Sequence, residues 1–409
     1  MTLKVFEAFA GIGTQRRALR NLDIDHEVVA ISEIDKFAIK SYEAIHGETL
    51  NLGDITEIKT EDIPDCDLFT YSFPCQDISV AGERKGLAKG SGTRSSLLWE
   101  CQRIIESKKP KYLLMENVKA LIFKKNRPHF EEWLKTLSDL GYTNYWSVLN
   151  AKHYGIPQNR ERVFCISILG DHDPYVFPKP FETTPNLNSV LETNVEDRYF
   201  LKQEIQDRFL ADPKLKNDIK TLGTTRPFAK IGQRDVVYST DGTIGTLTAT
   251  CYKQPPQIGV QFIGGSRGRN PNNPSDRTSG TETQQRLEIN KDGVSNTVTT
   301  VQKDNYVVES DPVALGTIYS GASKNFTCGY MKGLSRTIKS STYDTSVIFD
   351  NLKIRKLTPL ECWRLMGISD EDFYKAKSVN SNTQLYKQAG NAIVVDVLEE
   401  IFKQLFLKE

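Results

Sequence analysis

The feature that most constrains the fold is a glycine turn between an apolar strand and a helix near the start of the chain. Residues 3–9 have the pattern of a strand, Ala10-Gly11-Ile12-Gly13 forms the turn, and residues 14–22 carry a helical pattern. Such a unit brings backbone N–H groups to a small anionic or zwitterionic ligand in α/β proteins. Position 16 is Arg, so the Gly-x-Gly-x-x-Gly spacing of nicotinamide enzymes is absent.

Acidic residues follow the next two predicted strand ends. Glu33 comes after the strand 27–31, and Asp54 comes after Gly53 at a third strand end. A Rossmann-like sheet places the first kind of carboxylate on ribose hydroxyls, and the second could accept a hydrogen bond from an adenine amine. The structural alternatives are a helix N-terminal acid for Glu33 and a plain turn for Asp54. Asp35 is a candidate helix cap.

A cysteine follows the most apolar of these strands. Leu68 to Tyr71 reads as a buried strand, and Phe73-Pro74-Cys75 comes directly after it. Pro74 restricts the backbone on both sides, so the sequence predicts a stiffly held thiol at the end of the strand. A lone cysteine is more often a small core residue than a nucleophile, and both interpretations stay open on this segment alone.

Charged residues flank two later strands. Glu116 lies near the end of the apolar strand 112–118, where a carboxylate is costly unless it is exposed or used in chemistry. Arg160 and Arg162 alternate before the strand 163–168, which predicts that both side chains point to one face. The amphipathic stretch 130–140 predicts a helix that packs on the core.

Composition excludes several classes of protein. No apolar stretch approaches the roughly 18 residues needed to span a bilayer, and the start of the chain leaves no room for a secretion signal. The 7 cysteines show no Cys-x-x-Cys spacing, which disfavours a disulfide framework and a zinc site and favours a reduced, cytoplasmic protein. The net charge of +1 neither requires nor excludes nucleic acid, because a duplex responds to local clusters of charge.

The amino-acid composition of the sequence changes near residue 178. Pro, Asn, Thr, Gly and Ser dominate from there, and a Gly turn leading into a Thr-rich strand occurs three times, at 241–248, 292–299 and 332–339. Uneven spacing between these copies predicts a small β-rich domain with variable loops. Helical patterning returns after residue 355, and the apolar face of the last helix, from Ile393 to Leu405, predicts docking on the first domain.

Five short motifs, taken in order, resemble those of the DNA cytosine-5 methyltransferases. They are Phe9-Ala10-Gly11-x-Gly13, Phe73-Pro74-Cys75-Gln76, Glu116-Asn117-Val118, Gln158-x-Arg160-x-Arg162 and Gly390-Asn391-Ala392. The resemblance covers about residues 1–170 and 353–407. It implies an α/β fold with a Rossmann-like methyltransferase sheet and an inserted, mainly β or irregular target-recognition domain. The expected domains are 1–178 (catalytic and cofactor-binding), 179–350 (target recognition) and 351–409 (return to the catalytic domain).

The resemblance also implies roles for individual residues. The catalytic residues would be Cys75, Glu116, Arg160 and Arg162. S-adenosylmethionine would be held by Phe9, Gly11, Ile12, Gly13, Glu33, Ile34, Asp54, Ile55, Pro74, Leu98, Asn391 and Ala392. Residues 78–96 are rich in Gly, Ser and Lys and read as a basic lid, so the expected DNA contacts are Gln76, Ser79, Arg84, Lys85 and Arg94. No metal is expected.

The expected reaction is methyl transfer to C5 of a cytosine flipped out of double-stranded DNA, through a covalent bond from Cys75 to C6. A tRNA cytosine methyltransferase shares the same motifs, but the long insert favours DNA. A non-catalytic DNA-binding relative would not need Cys75, Glu116 and Arg162 together, and a dehydrogenase would have no use for Phe73-Pro74-Cys75. We expect a monomer that acts in restriction-modification, with a cognate endonuclease, or as an orphan modification enzyme.

Overall fold

The structure is a computed structural model of the 409-residue chain. It describes residues 2–74, 97–182, 186–201 and 353–407, together with shorter stretches between them. These stretches are 210–216, 219–225, 236–240, 242–249, 255–260, 264–269, 284–289, 305–306, 313–315 and 346–348.

The chain divides into two compact units. The first consists of Met1–Val190, Ile244–Gln254 and Pro359–Glu409, and the second of Leu191–Thr243 and Pro255–Thr358. The sequence predicted one insertion over 179–350, whereas this division assigns 179–190 and 244–254 to the first unit and 351–358 to the second. The recognition role expected for 179–350 stays a prediction.

The first unit contains eight α-helices and eight strands among its described residues. The helices are α1 Thr14–Asn21, α2 Lys36–His46, α3 Leu98–Lys108, α4 Arg127–Asp139, α5 Pro359–Arg364, α6 Asp370–Val379, α7 Asn382–Asn391 and α8 Val395–Phe406. The strands are β1 Leu3–Ala8, β2 His26–Ser32, β3 Leu68–Tyr71, β4 Tyr112–Val118, β5 Tyr142–Asn150, β6 Gln158–Asn159, β7 Glu161–Leu169 and β11 Ile244–Gly245. Short 3-10 helices span Thr60–Asp62, Lys119–Ile122, Ala151–Tyr154 and Leu187–Ser189.

The central sheet has six strands in the order β2-β1-β3-β4-β7-β5. Strands β1 to β4 run parallel, and β7 runs antiparallel to β4 and to β5. The carboxyl ends of β1 to β4 and the amino end of β7 therefore meet at one edge of the sheet. The third strand expected before Gly53 is not formed, since the described residues there show only an isolated bridge between Ile31 and Asn51.

An aromatic core fills one side of this sheet. Phe69 stacks between Phe6 and Tyr71, each with a ring-centroid distance of 5.2 Å. Trp133 on α4 meets Tyr71 edge-on and donates its indole N–H to the Tyr71 hydroxyl at 3.2 Å, so the buried polar atoms are paired. The strand and helix expected at 68–71 and 130–140 are confirmed, and they form this core.

The C-terminal helix packs within the first unit, as its sequence predicted. Leu398, Ile401 and Phe402 on α8 are completely buried. Phe406 contacts Tyr112 of β4 edge-on at 5.2 Å, and Glu399 accepts a hydrogen bond from Asn21 at the end of α1. The end of the chain thereby returns to the sheet that its beginning forms.

The second unit is made of strands and one short 3-10 helix, Asp197–Tyr199, among its described residues. Its strands are β8 Leu210–Lys216, β9 Ile219–Thr224, β10 Val236–Ser239, β12 Gln257–Val260, β13 Gly264–Arg269, β14 Gln284–Ile289, β15 Asn305–Tyr306, β16 Val313–Leu315, β17 Ser346–Ile348 and β18 Lys353–Lys356. Five of them form the sheet β18-β12-β10-β9-β8, and the others form a sheet β14-β13-β15 and a pair β16-β17. The β-rich character expected for this region is confirmed. Of the three repeat copies, 292–299 and 332–339 lie outside the described residues.

None of the helices in the described part of the chain has the length and apolar character required to cross a bilayer.

Candidate active site

A cavity of about 360 Å³ lies at the edge of the sheet where the strand ends meet. All of its lining residues belong to the first unit. The wall combines the glycine turn, the acidic residues after β2, the Phe73-Pro74 segment, the charged residues of β4 and β7, and the C-terminal half of α7 with the two residues after it. The parallel strand order thus brings together motifs that are far apart in sequence.

The glycine turn forms one wall of the cavity. Phe9, Gly11 and Gly13 all have positive φ angles, of 55°, 58° and 75°. A Cβ atom at Gly11 would have open space around it, whereas one at Gly13 would lie 2.6 Å from side-chain atoms of Tyr42 and His46. The two glycines therefore serve different purposes, since Gly11 leaves room in the cavity and Gly13 allows close packing behind it.

The Glu33 carboxylate organises the turn from the end of β2. Its Oε2 accepts the Gly11 N–H at 2.8 Å, and its Oε1 accepts the N–H groups of Ile34 and Asp35, each at 2.8 Å. A carboxylate offers about four acceptor positions, so one remains for a ligand hydroxyl. The expectation of a carboxylate facing the cavity at this strand end agrees with the geometry.

Asp54 and two isoleucines form the next part of the wall. Asp54 Oδ1 accepts the backbone N–H and the hydroxyl of Thr56, which fixes the turn that presents this carboxyl to the cavity. Ile34 is 70% exposed, and Ile55 is buried beside it on the same wall. An exposed isoleucine can pack against a flat ring of a ligand, while the neighbouring carboxylates accept hydrogen bonds from its hydroxyl or amine groups.

A buried carboxyl supports the glycine turn from beneath. Glu7 is fully buried; its Oε2 accepts the Tyr42 hydroxyl at 2.7 Å, and its Oε1 accepts the Arg16 N–H at 3.0 Å. Burial raises the pKa of Glu7 to about 7. Burial also lowers the pKa of His46 to about 3, and His46 Nε2 lies 3.1 Å from the Ile12 carbonyl oxygen. Tyr42, with its pKa raised well above the usual value by burial, and neutral His46 thus fix the back of the turn.

The end of β3 is fixed by its neighbour strand. Asn117 Nδ2 donates to the Phe73 carbonyl at 2.9 Å, and Asn117 is buried. Pro74 and Ser72 line the cavity, and the Ser72 hydroxyl oxygen is buried with no hydrogen-bond partner among the described residues. Cys75, the next residue in the chain, lies outside the described residues.

Glu116 and Arg162 form an ion pair on the cavity wall. Arg162 Nε lies 3.0 Å from Glu116 Oε1, and both side chains are nearly buried. In the β4–β7 ladder Arg162 is opposite Val118, so Glu116 is its diagonal neighbour on the same face. The pair offers a carboxyl group and a guanidinium to anything that enters the cavity.

Arg160 also borders the cavity, but its guanidinium is bound to the protein. It lies in the break between β6 and β7, is 3% exposed, and donates to the carbonyl oxygens of Leu247, Gly390 and Ala392. Arg160 and Arg162, which were expected to share one face, both line the cavity. Their partners differ.

The C-terminal half of α7 and the residue after it, Ala392, close the remaining side. Gly390, Asn391 and Ala392 line the cavity, as does Lys387, whose Nζ lies 2.6 Å from Asp35 Oδ2. Burial opposes ionisation of Asp35, but the hydrogen bond and charge of Lys387 together with backbone N–H donors at the start of α2 outweigh it and hold the pKa of Asp35 below its usual value. Asp35 caps α2 as expected, with its side chain accepting the Phe37 N–H. Lys387 was missed because no motif marked it; its spacing before Asn391 on a helix was the available signal.

Two predicted cofactor residues do not line the cavity in the described part of the chain. Gly13 caps α1 behind the wall, and Leu98 is fully buried in the core while its neighbour Leu97 reaches the cavity. The predicted residues Cys75, Gln76, Ser79, Arg84, Lys85 and Arg94 lie outside the described residues, and so does the expected lid at 78–96. Their roles stay predictions.

Comparison with known proteins identifies the family. The model of the C-5 cytosine-specific DNA methylases matches residues 3–407. The type II methyltransferase M2.ScrFI of Lactococcus lactis subsp. cremoris is 34% identical, over 99% of this chain and 99% of the relative. The orphan methyltransferase M.SPBetaI of Bacillus phage SPbeta is 32% identical, over 98% of this chain and 97% of the relative.

Solved structures show the same fold at low sequence identity. The Entamoeba histolytica methyltransferase EhMeth has a TM-score of 0.61 at 17% identity, covering 100% of both chains. The Dnmt2 methyltransferase of S. pombe has a TM-score of 0.59 at 17% identity, covering 99% of this chain and 98% of that one. The expected methyltransferase fold is therefore confirmed. The chain belongs to the family of C-5 cytosine-specific DNA methylases and is a DNA (cytosine-5-)-methyltransferase.

Proposed function

We propose that this enzyme methylates C5 of a cytosine that is flipped out of a specific sequence in double-stranded DNA, through a transient bond between Cys75 and C6. One observation carries the proposal. The same cavity is lined by the glycine turn, by Pro74 immediately before Cys75, and by the Glu116–Arg162 pair. A methyl donor and a reacting base could therefore meet within one enclosure.

The family and its fold depend on S-adenosylmethionine, and the residues of this cavity fit that molecule. Gly11 leaves open space, Glu33 keeps one acceptor position, and Ile34 exposes an apolar surface. The Ser72 hydroxyl, which has no hydrogen-bond partner within the described part of the chain, adds a polar group that a zwitterionic ligand can use. When bound, the cofactor supplies an electrophilic methyl group on a sulfonium centre. Glu33 and Asp54 would orient its polar groups, while Asn391 and Ala392 would close the cavity.

Cys75 is proposed as the nucleophile because C5 of cytosine is too electron-poor to attack a methyl group by itself. Addition of the thiolate to C6 places the electron pair of the former double bond on C5, which then takes the methyl group. Loss of the C5 proton to a water-assisted base and expulsion of the thiolate restore the ring. The Arg162 guanidinium would favour the ionised thiol.

Glu116 and Arg162 are proposed to stabilise the base during addition. Negative charge develops toward N3 and O2 of the ring, where a protonated carboxyl can donate to N3 and a guanidinium can donate to O2. The 3.0 Å contact between the two side chains places the carboxyl and the guanidinium side by side on the cavity wall, so that one base could meet both groups. In low-dielectric surroundings each such hydrogen bond has a larger effect than in water.

A trapping experiment tests the nucleophile. Duplex DNA that contains 5-fluorocytosine lacks the C5 proton, so incubation with enzyme and S-adenosylmethionine should leave a covalent adduct on residue 75, identified by peptide mass spectrometry. Cys75→Ser should form no adduct and lose turnover while it retains DNA binding. Cys66→Ser is the matched control, since burial raises the pKa of the Cys66 thiol to about 12. An adduct elsewhere, or an active Cys75→Ser enzyme, would refute the proposed nucleophile.

We further propose double-stranded DNA as the substrate of a cytoplasmic monomer, in restriction-modification with a cognate endonuclease or as an orphan enzyme. The two relatives described above are of the type II and orphan kinds. Methyl incorporation should be measured into duplex DNA and into tRNA in parallel. Transfer to DNA alone is expected, and transfer to tRNA alone would support the RNA-modifying alternative.

A further inference from the structure

We infer that Arg160 is a positioning residue that couples the cofactor cavity to residues 244–249. The inference rests on the proposed role of the cavity as the cofactor site. Residues 244–249 belong to the first unit, although the chain directly before residue 244 and after residue 254 belongs to the second. Contacts that hold residues 244–249 in place therefore act on a segment that is connected, on both sides, to the proposed recognition region.

The guanidinium of Arg160 joins two separate segments of backbone. Nη1 donates to the Leu247 carbonyl at 2.9 Å, while Nη2 donates to the carbonyls of Gly390 at 3.1 Å and Ala392 at 2.8 Å. The side chain is 3% exposed, so its charge is balanced by these carbonyl dipoles in a water-poor environment. Reaching a substrate would require Arg160 to give up these hydrogen bonds, which favours positioning over direct catalysis.

Neighbouring residues hold segment 244–249 against the strand β6. Gln158 Oε1 accepts the Leu247 N–H at 3.0 Å, and the Ile244 N–H donates to the Pro157 carbonyl at 3.0 Å. The Thr246 hydroxyl donates to the Asn159 carbonyl at 2.9 Å. The segment is thus attached along its length to the chain that immediately precedes Arg160.

The segment also contacts the C-terminal end of α7 directly. A Cβ atom at Gly390 would collide with the backbone of Thr248 and Ala249, so the two backbones approach more closely than any other residue would permit. Gly390 and Ala392, whose carbonyls Arg160 binds, both line the cavity. A ligand that orders this wall also orders the acceptors of Arg160, and through them segment 244–249. By linkage, the coupling acts equally in the other direction.

Two substitutions at Arg160 distinguish the effect of its hydrogen bonds from the effect of its side-chain volume. Arg160→Met keeps the apolar stem but removes every donor, and Arg160→Lys keeps a charge that cannot span three carbonyls in fork geometry. We expect S-adenosylmethionine to bind about tenfold more weakly to Arg160→Met, with Arg160→Lys intermediate. At saturating cofactor and DNA, kcat should recover, because a positioning residue makes no contact with the reacting base. A kcat loss that persists at saturation would instead assign Arg160 to catalysis.

Hydrogen exchange measures the coupling itself, first in the wild-type enzyme and then in the variants. Addition of S-adenosylmethionine should slow exchange in a peptide that contains the Ile244 and Leu247 amides, and Arg160→Lys should lose this effect even when the cofactor saturates it. Arg364→Lys is the matched control, because Arg364 also donates to a backbone carbonyl, that of Val190, remote from the 244–249 segment in sequence.

The outcomes distinguish this inference from the proposed function. If the cofactor binds the wild-type enzyme but leaves exchange of 244–249 unchanged, the coupling is refuted and the cofactor site stands. Retention of the full effect in both Arg160 variants would refute the role of Arg160. If titration calorimetry detects no cofactor binding to wild-type enzyme, the proposed cofactor site itself fails.

Discussion

Glu7 shows how one residue outside the cavity shapes its wall. The carboxyl accepts hydrogen bonds from Tyr42 and from the backbone of Arg16, and its burial raises its pKa to about 7. Because the pKa in the unfolded chain is the ordinary 4.5, the native state retains a proton that the unfolded state has lost between those two values. Stability contributed by this group therefore falls as the pH rises from about 4.5 to 7.

Glu7→Gln should remove this pH dependence, since the amide keeps the shape and cannot ionise. Relative to wild type, the free energy of unfolding of the variant should rise by up to about 3 kcal/mol between pH 4.5 and 8, at about 1.4 kcal/mol for each pH unit separating the two pKa values. Urea unfolding at several pH values measures the difference. Glu131→Gln, at an exposed position on α4, is the control. Parallel profiles for wild type and Glu7→Gln would contradict the expectation.

The residues that line the cavity were predictable from sequence where local backbone geometry determines which way a side chain points. Arg162 and Glu116 are placed by strand alternation and by the end of a strand, both of which are visible in sequence. Leu98 was off by one position, because the start of α3 turns Leu97 to the cavity and Leu98 to the core. A helix rotates neighbouring side chains by roughly 100°, so an error of one residue is enough to turn a side chain from the cavity toward the core.

At the scale of elements, the turn between β1 and α1 requires glycine for two reasons, a positive φ angle and close packing. Both Gly11 and Gly13 have positive φ, where an L-residue costs about 1–2 kcal/mol. Only Gly13 is also crowded, by Tyr42 and His46 of α2. The sequence indicated the turn, and the packing of α2 against it emerged only in the folded chain.

Alanine substitutions should separate these two demands. Gly11→Ala should cost about 1 kcal/mol of stability from backbone strain and weaken cofactor binding more strongly, because its methyl group enters the cavity wall. Gly13→Ala should destabilise the fold more than Gly11→Ala, because the strain is joined by steric overlap. Urea unfolding and cofactor titration measure the two effects.

Gly47→Ala supplies the control for strain alone. Gly47 has a φ of 83° with open space around it and is not on the cavity wall. Its ψ angle of 176° places it in a backbone region that is essentially restricted to glycine, so Gly47→Ala should lose at least as much stability as Gly11→Ala but bind cofactor normally. Equal cofactor affinities for Gly11→Ala and Gly47→Ala would contradict the placement of Gly11 in the cofactor site.

At the scale of the whole molecule, the charge balance leaves DNA binding to local clusters. The net charge of +1 arises from 53 basic and 52 acidic residues, so no global field attracts a polyanion. Several cations pair within the described residues, such as Lys135 with Asp139 and Lys375 with Glu371. Phosphate contacts must therefore come from a basic patch, for which the segment 78–96 is our candidate.

Neutralising Arg84, Lys85 and Arg94 to Gln should flatten the salt dependence of DNA binding. Each phosphate contact contributes about 0.9 to the slope of log K against log salt, so loss of all three should reduce its magnitude by about 2 to 3. The control changes three ion-paired lysines, Lys135, Lys375 and Lys403, to Gln. An unchanged slope in the first variant would remove this segment from the DNA interface.

By itself the sequence determined the class of fold and the chemistry on offer. Periodicity and strand-end residues predicted the α/β sheet, and the ordered motifs, from the glycine turn to Gly390-Asn391-Ala392, indicated the family. These features succeed because each depends on local geometry: a glycine at positive φ, a proline after a strand, or a carboxylate at a strand end.

Only the tertiary structure decided which of these groups bind one another. Arg160 and Arg162 look equivalent in sequence, yet one binds backbone carbonyls and the other pairs with Glu116. Residues 244–249 read as part of the insert, yet they lie in the first unit against Gly390. The physical reason is that a buried guanidinium takes whichever acceptors the packed chain brings within reach, and chain segments that are 87 or 230 residues apart meet there by folding alone.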